Sequence, residues 1–470
     1  MQREDGHLFK LLPPPAHLPQ YTDSALKSVS YFGHTNFVSG LYRSRTVFGI
    51  KRTDRRRHIY LIGKSGMGKT RLLEQLIRYD IAANEGVGVI DPHGDLARTL
   101  LDFIPKSRIQ DVVYVDPADA EHPIAFNPFA RVDATQRQNV AQGLVEIFKK
   151  QFTSSWSPRM EHLFRFATLA ILEHPEGTLY ELLRLLTDAQ ARQQTISHLT
   201  DDIVKRFFAV EFASFSQKYD HEAITPLTNR LGQFFADPLL RSIFTKKENK
   251  IDIESIMNEG KILIVNASKG LLGEDNSALL GAFFLTKINQ VAMARSRVDE
   301  DERREFYLYV DEFQNAATQS FSSLFSESRK YAVNITIANQ YLGQIPPSLL
   351  EAIFGNVSTL IAFRLGGGDA DRIAKEFMPL VEPHDLINLG ARDFYIKMSV
   401  DGQTTAPFSA RTLDVVPAKQ SYADAVIQLS RTQYSATRTK EMPAIISSPF
   451  ISSIETEEMS AEELLPPPVV

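Results

Sequence analysis

An octapeptide early in the chain reads Gly63-Lys64-Ser65-Gly66-Met67-Gly68-Lys69-Thr70 and matches the pattern G-x-x-x-x-G-K-[ST] completely. A short apolar run, His58–Ile62, precedes it and a segment of helical pattern, Arg71–Ala83, follows it. The glycines let the backbone curl so that successive amides point at phosphate oxygens, and the following helix adds its positive end. Strand, loop and helix in this order predict an ATP site, with Lys69 at the β- and γ-phosphates and the Thr70 hydroxyl on Mg²⁺.

Apolar runs alternate with helical stretches along most of the chain. Besides His58–Ile62, they are Gly86–Ile90, Val112–Val115, Lys261–Val265, Phe306–Val310, Ile335–Ala338 and Leu360–Phe363. This alternation predicts an α/β fold in which helices cover both faces of a mainly parallel sheet. Near the end, Asp393–Val400 and Gln403–Arg411 flank Asp401-Gly402, which predicts a C-terminal β-hairpin that lies antiparallel at the sheet edge or projects from it.

One long stretch breaks the alternation. Between residues 133 and 250 apolar residues recur at helical spacing, as at Val140, Leu144 and Ile147, and Thr178 and Glu181 form a capping-box pattern. We interpret 133–250 as an all-helical insertion that divides an ATPase domain into residues 31–132 and 251–415. Residues 1–30, with their proline run, are interpreted as a linker, and residues 416–470 as a helix followed by a disordered tail.

Composition restricts the classes of function. The 52 basic and 57 acidic residues give 52 − 57 = −5, so the whole chain is not a basic nucleic-acid coat. The absence of cysteine excludes disulfides, thiolate metal sites and thiol catalysis. No uninterrupted apolar stretch of membrane-spanning length and no apolar signal core occur, so we expect a cytoplasmic protein without a membrane span.

The apolar run Phe306–Val310 ends in two carboxylates, Asp311 and Glu312. Asp311 suits the Mg²⁺ side of the site, and Glu312, one position further, suits activation of the water that attacks the γ-phosphate. The alternative is an exposed acidic pair that starts a helix. The phosphate loop upstream favours the catalytic interpretation, and a glutamate at this position favours hydrolysis over switch-type nucleotide binding.

Three further segments complete an ordered set of motifs: Asp91-Pro92-His93-Gly94-Asp95, Ser328-Arg329-Lys330-Tyr331 and Ile337-Ala338-Asn339-Gln340. Together with the two nucleotide motifs they resemble the HerA–FtsK superfamily of ring-forming ATPases. The likeness is greatest to conjugative coupling proteins of the TraD/TraG type, which serve type IV secretion, and to HerA-like DNA translocases. It covers residues 32–411 and implies a RecA-like P-loop fold.

The resemblance also implies roles for single residues. Gln340 matches a polar sensor of the γ-phosphate, with a buried structural amide as the alternative. Arg329 matches an arginine finger supplied to the neighbouring subunit, with a helix-end charge as the alternative and Arg364 and Arg230 as competing candidates. Asp91, with His93, matches a polar loop near the nucleotide. Asp91, His93 and Asp95 could instead form a metal trio, an interpretation that no other histidine-rich feature supports.

We therefore expect a homohexameric, Mg²⁺- and ATP-dependent motor that moves DNA through a central pore. Ser268-Lys269-Gly270 and Tyr341–Ser348 are candidate pore loops, whereas the basic segment Lys51–Arg57 is interpreted as a solvated approach to the nucleotide site rather than a DNA contact. Coupling proteins usually begin with membrane-spanning helices. Either a separate protein provides the membrane anchor, or the protein is cytosolic, or a membrane segment that precedes this sequence is missing from it. A nuclease or a relaxase is a further expected partner. The alternatives are a protein-translocating secretion ATPase and a nucleotide-gated assembly scaffold.

Overall fold

The computed structural model describes residues 8–436, except 23, 24, 26, 38–44, 153–155, 215–219 and 320. The strands in these ranges are β1 (Val29–Thr35), β2 (Val47–Lys51), β3 (Ile59–Ile62), β4 (Gly86–Asp91), β5 (Val112–Val115), β6 (Ile262–Asn266), β7 (Phe306–Val310), β8 (Val333–Asn339), β9 (Thr359–Ala362), β10 (Asp393–Lys397), β11 (Ser399–Val400), β12 (Gln403–Thr404) and β13 (Phe408–Thr412). Eleven of them form one sheet in the order β2-β1-β13-β10-β9-β3-β8-β7-β4-β6-β5.

The helices surround this sheet. They are α1 (Arg52–Arg55), α2 (Lys69–Ala82), α3 (Asp95–Leu101), α4 (Arg137–Gln151), α5 (Pro158–Glu173), α6 (Leu179–Thr187), α7 (Ala189–His198), α8 (Asp202–Arg206), α9 (Thr225–Ala236), α10 (Pro238–Phe244), α11 (Ile253–Glu259), α12 (Lys269–Leu272), α13 (Glu274–Ala294), α14 (Phe321–Glu327), α15 (Pro347–Asn356), α16 (Gly367–Glu376), α17 (Pro383–Ile387) and α18 (Ala423–Tyr434).

Seven neighbouring strands, from β9 to β5 in the sheet order, pair in parallel. Each coincides with one of the apolar runs, and their residues are almost all buried, as expected for strands covered on both faces. The expectation of an α/β fold with a mainly parallel sheet flanked by helices is confirmed. The carboxyl ends of these strands share one edge of the sheet.

The interpretation of residues 1–30 as a linker is wrong for the part that the structure describes. Phe9, Leu12 and Leu18 are buried, and the Leu12 amide donates a hydrogen bond of 2.8 Å to Ser409 Oγ. Val29–Thr35 then enters the sheet as β1. This segment is held by contacts with residues far along the chain. Its few apolar residues lie around a proline run and show no local periodicity, so the sequence did not indicate an ordered segment.

The C-terminal hairpin does not form the sheet edge. Its two main strands, β10 and β13, pair antiparallel as expected, but β1 pairs with the outer side of β13 and β2 lies beyond β1. The turn at Asp401-Gly402 joins the short strands β11 and β12, which form a separate two-stranded ribbon. The edge position belongs to β2, a five-residue strand whose pattern is too short to recognise in the sequence.

The stretch between β5 and β6 is helical, from α4 to α10. Its aromatic side chains pack directly on α13, as shown by the rings of Phe148 and Phe283, with centroids 6.2 Å apart, and by those of Phe244 and Phe283 at 4.9 Å. Thr178 caps α6 by accepting the Glu181 amide at 3.1 Å. The helices of this insertion therefore share one hydrophobic core with the sheet, although the domain boundaries proposed for it stay a prediction.

Helix α13 lies inside the molecule. Together with the residues that follow it, over Glu274–Arg297, it is long and apolar enough to cross a membrane by length and composition alone. However, 72% of the relevant window is buried within the fold, as expected for a core helix.

At the other end of the chain, α18 packs on β5, where Ser430 Oγ donates to Val112 O at 3.1 Å. The predicted tail from residue 437 onward lies outside the described residues.

Candidate nucleotide-hydrolysis site

Four adjacent strands, β3, β8, β7 and β4, bring the predicted nucleotide motifs together. Because the strands are parallel, the residues that follow them meet at the carboxyl edge of the sheet, where open α/β sheets bind ligands. The phosphate loop follows β3, the acidic pair follows β7, and Gln340 follows β8. This topology explains how motifs far apart in the sequence form one site.

The phosphate loop has a backbone that only glycine supports at its key positions. Gly66 and Gly68 have φ angles of 74° and 114°. A Cβ on Gly63 would lie 2.5 Å from the Cβ of Phe363. The Lys69 ammonium is folded into the loop, where it donates to the carbonyl oxygens of Gly63 at 2.6 Å and Lys64 at 3.3 Å. Burial lowers the pKa of Lys69, an effect that the carboxylates of Glu312 and Asp311 oppose.

Thr70 and Asp311 converge at the start of α2. The Thr70 hydroxyl donates to Asp311 Oδ2 at 3.0 Å. Asp311 is buried, and this burial, with the negative charges of Glu312 and Asp91, raises the pKa of its carboxyl group to about 6. Hydroxyl and carboxylate oxygens are the ligands that Mg²⁺ prefers, so this pair fits the predicted metal position.

Glu312 lies at the centre of a hydrogen-bond network. Its two carboxylate oxygens accept from Gln340 Nε2 at 2.9 Å and from Gln314 Nε2 at 2.6 Å. Burial alone would raise the pKa of Glu312, but His93, the two glutamine amides and Lys69 together lower it to about 2. Glu312 is therefore an ionised carboxylate beside the phosphate loop, which is the state that a general base requires.

Two of these partners have roles that the sequence did not indicate. Gln314 stands two positions after Glu312, a spacing with no motif attached to it. His93 was assigned only to a polar loop, yet its Nε2 lies 3.9 Å from Glu312 Oε1, and this neighbouring carboxylate raises the pKa of the imidazole. The remaining predicted group, Gln340, contacts Glu312 directly, so it is part of the site.

Asp91 is completely buried and has a structural task. Its carboxylate accepts the backbone amides of His93 and Ala97, both at 2.9 Å, and so fixes the turn into α3. Within the described ranges no group of three His, Cys, Asp or Glu side chains could hold a metal ion. The metal-trio interpretation of Asp91, His93 and Asp95 is therefore wrong, whereas a contact between Asp91 and nucleotide stays a prediction.

The candidate arginine fingers lie in different places. Arg329 is exposed and precedes β8, so it lies at the amino edge of the sheet, opposite its own subunit's phosphate loop. Arg364 lies beside that loop: its carbonyl accepts the Lys64 amide at 2.9 Å, and its Nε donates to Leu389 O at 2.6 Å. Arg230 belongs to the insertion, where its guanidinium lies over the Phe152 ring. The structure thus brings only Arg364 close to the phosphate loop of the same chain.

The basic segment Lys51–Arg57 lies at the amino end of β3, away from the phosphate loop. Its charged side chains contact groups of the same chain: Lys51 contacts Asp401, Arg52 and Arg55 contact Asp80, Arg56 contacts Glu305 and Arg57 contacts the Gly402 carbonyl. Its interpretation as an approach to the nucleotide is therefore wrong. The segment fastens the hairpin turn and the start of β3 to the fold.

Both candidate pore loops leave the carboxyl edge of the sheet. Ser268-Lys269-Gly270 follows β6 and begins α12, and the Lys269 amide donates to Pro92 O at 2.8 Å. Tyr341 follows β8, and half of its surface is exposed.

The single tryptophan, Trp156, packs against Phe164 with ring centroids 5.9 Å apart, which agrees with its expected role in packing.

Comparison with known proteins identifies related sequences and folds. Residues 45–365 match the model of the type IV secretion-system coupling protein DNA-binding domain. The fold is similar to that of the bacterial conjugative coupling protein TrwBdeltaN70 in its unbound form, with a TM-score of 0.60, 16% identity, and coverage of 88% of this chain and 96% of that chain.

Two further solved structures share the fold. The plasmid coupling protein TrwB in complex with ADP and Mg²⁺ has a TM-score of 0.58 and 14% identity over 88% of this chain and 97% of that chain. VirB4 of Thermoanaerobacter pseudethanolicus has a TM-score of 0.51 and 16% identity over 77% of this chain and 90% of that chain. Among curated protein sequences no match to the chain was found.

Proposed function

Because the chain belongs to the family of the type IV secretion-system coupling protein DNA-binding domain, we propose that it is a Mg²⁺- and ATP-dependent motor that moves DNA. The observation that carries the proposal is the position of Glu312. This ionised carboxylate lies beside Lys69 and the Thr70–Asp311 pair and is held by two glutamine amides. A protein that only binds nucleotide has no need of such a base.

Each residue of the site has a distinct task in this proposal. The loop amides and Lys69 bind the β- and γ-phosphates, and Lys69 exchanges its contacts with Gly63 and Lys64 for phosphate oxygens. Glu312 orients the attacking water and accepts its proton. Gln340 donates a hydrogen bond to Glu312 and would also contact the γ-phosphate, so it would link the bound nucleotide to the base.

Thr70 and Asp311 would hold the Mg²⁺ ion. Their two oxygens meet at 3.0 Å, and the low exposure of Asp311 favours neutralisation of its charge by a cation. The bound ion supplies compensation for the negative charge that develops on the transferred phosphoryl group. The plasmid coupling protein TrwB, which shares the fold, was solved in complex with ADP and Mg²⁺, which supports Mg²⁺ as a cofactor here.

We propose further that the motor is a homohexameric ring with ATP sites at the subunit interfaces. The position of Arg329 supports this arrangement, because an exposed arginine at the amino edge of the sheet is placed to reach a neighbouring subunit rather than its own phosphate loop. DNA would run through the central pore past Tyr341 and Lys269, with contacts to its backbone. A cytoplasmic location and a separate membrane-anchor, nuclease or relaxase partner complete this proposal.

The proposal is tested by the steady-state ATPase rate with duplex DNA, with single-stranded DNA and without nucleic acid, each at two salt concentrations. Glu312→Gln serves as the blank. We expect DNA to stimulate hydrolysis, and the stimulation to weaken at higher salt, since backbone contacts release counterions. An ATPase rate that is the same with and without DNA would instead support a protein-translocating or partner-activated ATPase. A rate no higher than that of the blank under all conditions would support the nucleotide-gated scaffold.

A further inference from the structure

One lysine of the helical insertion reaches the loop that follows the catalytic strand. The Lys150 ammonium, near the end of α4, donates to three backbone carbonyls: Gln314 O at 2.6 Å, Asn315 O at 2.9 Å and Ala317 O at 2.8 Å. An ammonium carries three donors and no acceptor, so the three carbonyls match its hydrogen-bonding capacity. The loop 313–317 is thereby fastened to the insertion through one side chain.

The same loop controls the position of Glu312. The backbone of Glu312 has a left-handed φ of 46°, which is unfavourable for a residue with a Cβ. Two local bonds accompany this conformation, from the Glu312 amide to Asp311 Oδ1 at 2.9 Å and from the Asn315 amide to the Glu312 carbonyl at 2.9 Å. The loop also supplies the Gln314 amide that holds the Glu312 carboxylate. A shift of the loop would therefore move the carboxylate.

The other end of the link is closely packed. Helix α4 packs closely on α13, where a Cβ on Gly143 would lie 2.8 Å from Thr286 Cγ2. Phe148, two positions before Lys150, is buried against Phe164 with ring centroids 4.7 Å apart. Lys150 is therefore held in place by the packing of α4 on α13 and α5.

We propose that Lys150 is a positioning residue that holds loop 313–317, and with it Glu312, in the geometry for hydrolysis. The rate of hydrolysis then depends on how the insertion lies on the ATPase core. This inference rests on the proposed function, since it names a control of the same site. It gives the insertion a direct contact with the loop that follows the catalytic base.

The test compares Lys150→Met with Lys149→Met in the full chain. Methionine keeps the length of the stem and removes the three donors. Lys149, the matched control, pairs with Glu161 Oε2 on the helix surface at 3.0 Å and does not contact the loop in the described residues. For Lys150→Met we expect kcat to fall on the order of 10²-fold, the size of effect that a misplaced catalytic group produces. KM, the affinity for a non-hydrolysable ATP analogue and the thermal midpoint should stay at the values of the control.

Two further measurements separate positioning from general destabilisation. Amide hydrogen exchange should speed up in residues 314–317 of Lys150→Met and remain unchanged in α2. In a double-mutant cycle, the losses of kcat from Lys150→Met and Gln314→Leu should be less than multiplicative, since both act through Glu312. Lys150→Arg should recover part of the rate because it keeps the charge and several donors.

The inference is overturned if Lys150→Met hydrolyses ATP like Lys149→Met, or if its kcat, analogue affinity and thermal midpoint all fall together. Unchanged hydrogen exchange in residues 314–317 would overturn it as well. If the wild-type protein hydrolyses ATP, any of these three results overturns this inference and leaves the proposed function unaffected. A wild-type protein that is no faster than Glu312→Gln refutes the proposed function and this inference together.

Discussion

The Thr70 hydroxyl donates a hydrogen bond to Asp311 Oδ2 across 3.0 Å, although the two residues are separated by 241 positions in the sequence. The bond joins the first turn of α2 to the carboxyl end of β7. It places a hydroxyl and a carboxylate oxygen where one Mg²⁺ ion can contact both, either directly or through water. The residues of the phosphate loop and of the acidic strand thus form a single site, and substitutions in the two motifs should have different consequences.

Substitution of Lys69 should abolish the binding of ATP. Lys69→Ala removes the only side-chain cation folded into the phosphate loop within the described residues, so the β- and γ-phosphates lose their counter-charge. We expect the affinity for a fluorescent ATP analogue and the ATPase rate to fall together. Lys51→Ala is the matched control, because Lys51 pairs with Asp401 at the opposite edge of the sheet. Full ATPase activity of Lys69→Ala would refute the assignment of the site.

Substitution of Glu312 should separate binding from hydrolysis. Glu312→Gln is nearly isosteric and leaves the phosphate loop intact, but the neutral amide cannot accept a proton from water. We expect kcat to fall by about 10²–10⁴-fold, the contribution typical of a positioned general base, while the analogue affinity is retained. Single-turnover hydrolysis and equilibrium titration on the same preparation check both. A parallel loss of affinity would show that Glu312 has a binding role instead.

Stability should depend on pH through His58. Burial, aided by the charge of Arg329, lowers the pKa of His58 to about 4. Its Nδ1 accepts the Ile335 amide at 3.2 Å, while Nε2 lies 3.2 Å from the Phe325 carbonyl, so the folded protein holds the neutral ring. Because the unfolded ring titrates near 6.5, the unfolded state binds more protons between these values. The free energy of unfolding should therefore decrease as the pH falls from about 6.5 to 4, by about 1.4 kcal/mol per pH unit.

Urea unfolding of the wild type and of His58→Asn at pH 7 and pH 5 measures this contribution. Asparagine tolerates the left-handed φ of 62° at this position and does not titrate in the range. The variant should be less stable at pH 7, and its free energy of unfolding should change less between the two pH values. An equal change in both proteins would mean that other groups account for the pH dependence.

The sequence predicted the parts of the site that are encoded locally. The phosphate loop and the acidic pair each follow an apolar strand, so the strand pattern and residue type together indicated a nucleotide site. Gln340 was assigned to this site through the family resemblance. Gln314 and the left-handed backbone of Glu312 had no such local pattern, since the course of the chain after β7 brings the Gln314 amide back to the Glu312 carboxylate. Strand β1 was missed for a similar reason: its partner β13 lies at the far end of the chain.

The last prediction concerns the arginine finger. Arg329 is exposed at the amino edge of the sheet, and a finger supplied to a neighbour typically contributes about 10³–10⁵-fold to kcat. We expect Arg329→Ala to bind ATP normally and to hydrolyse it slowly. If the residue acts on the neighbouring subunit, mixing Arg329→Ala with Lys69→Ala should restore activity. In a random mixed ring about one interface in four combines an intact phosphate loop with an intact finger.

The measurement compares the ATPase rate of the mixture with the sum of the rates of the two variants measured alone. This comparison distinguishes the candidate arginines. Arg364 contacts the Lys64 backbone of its own chain, so it provides the contrasting case. If Arg364 acts within its own subunit, every site formed with Arg364→Ala and Lys69→Ala subunits lacks one of the two groups, and mixing should restore nothing. If the ATPase rate recovers when Lys69→Ala is mixed with Arg364→Ala but not when it is mixed with Arg329→Ala, Arg364 is the arginine finger. Wild-type activity of Arg329→Ala alone would leave this residue with a structural role at the end of its helical turn.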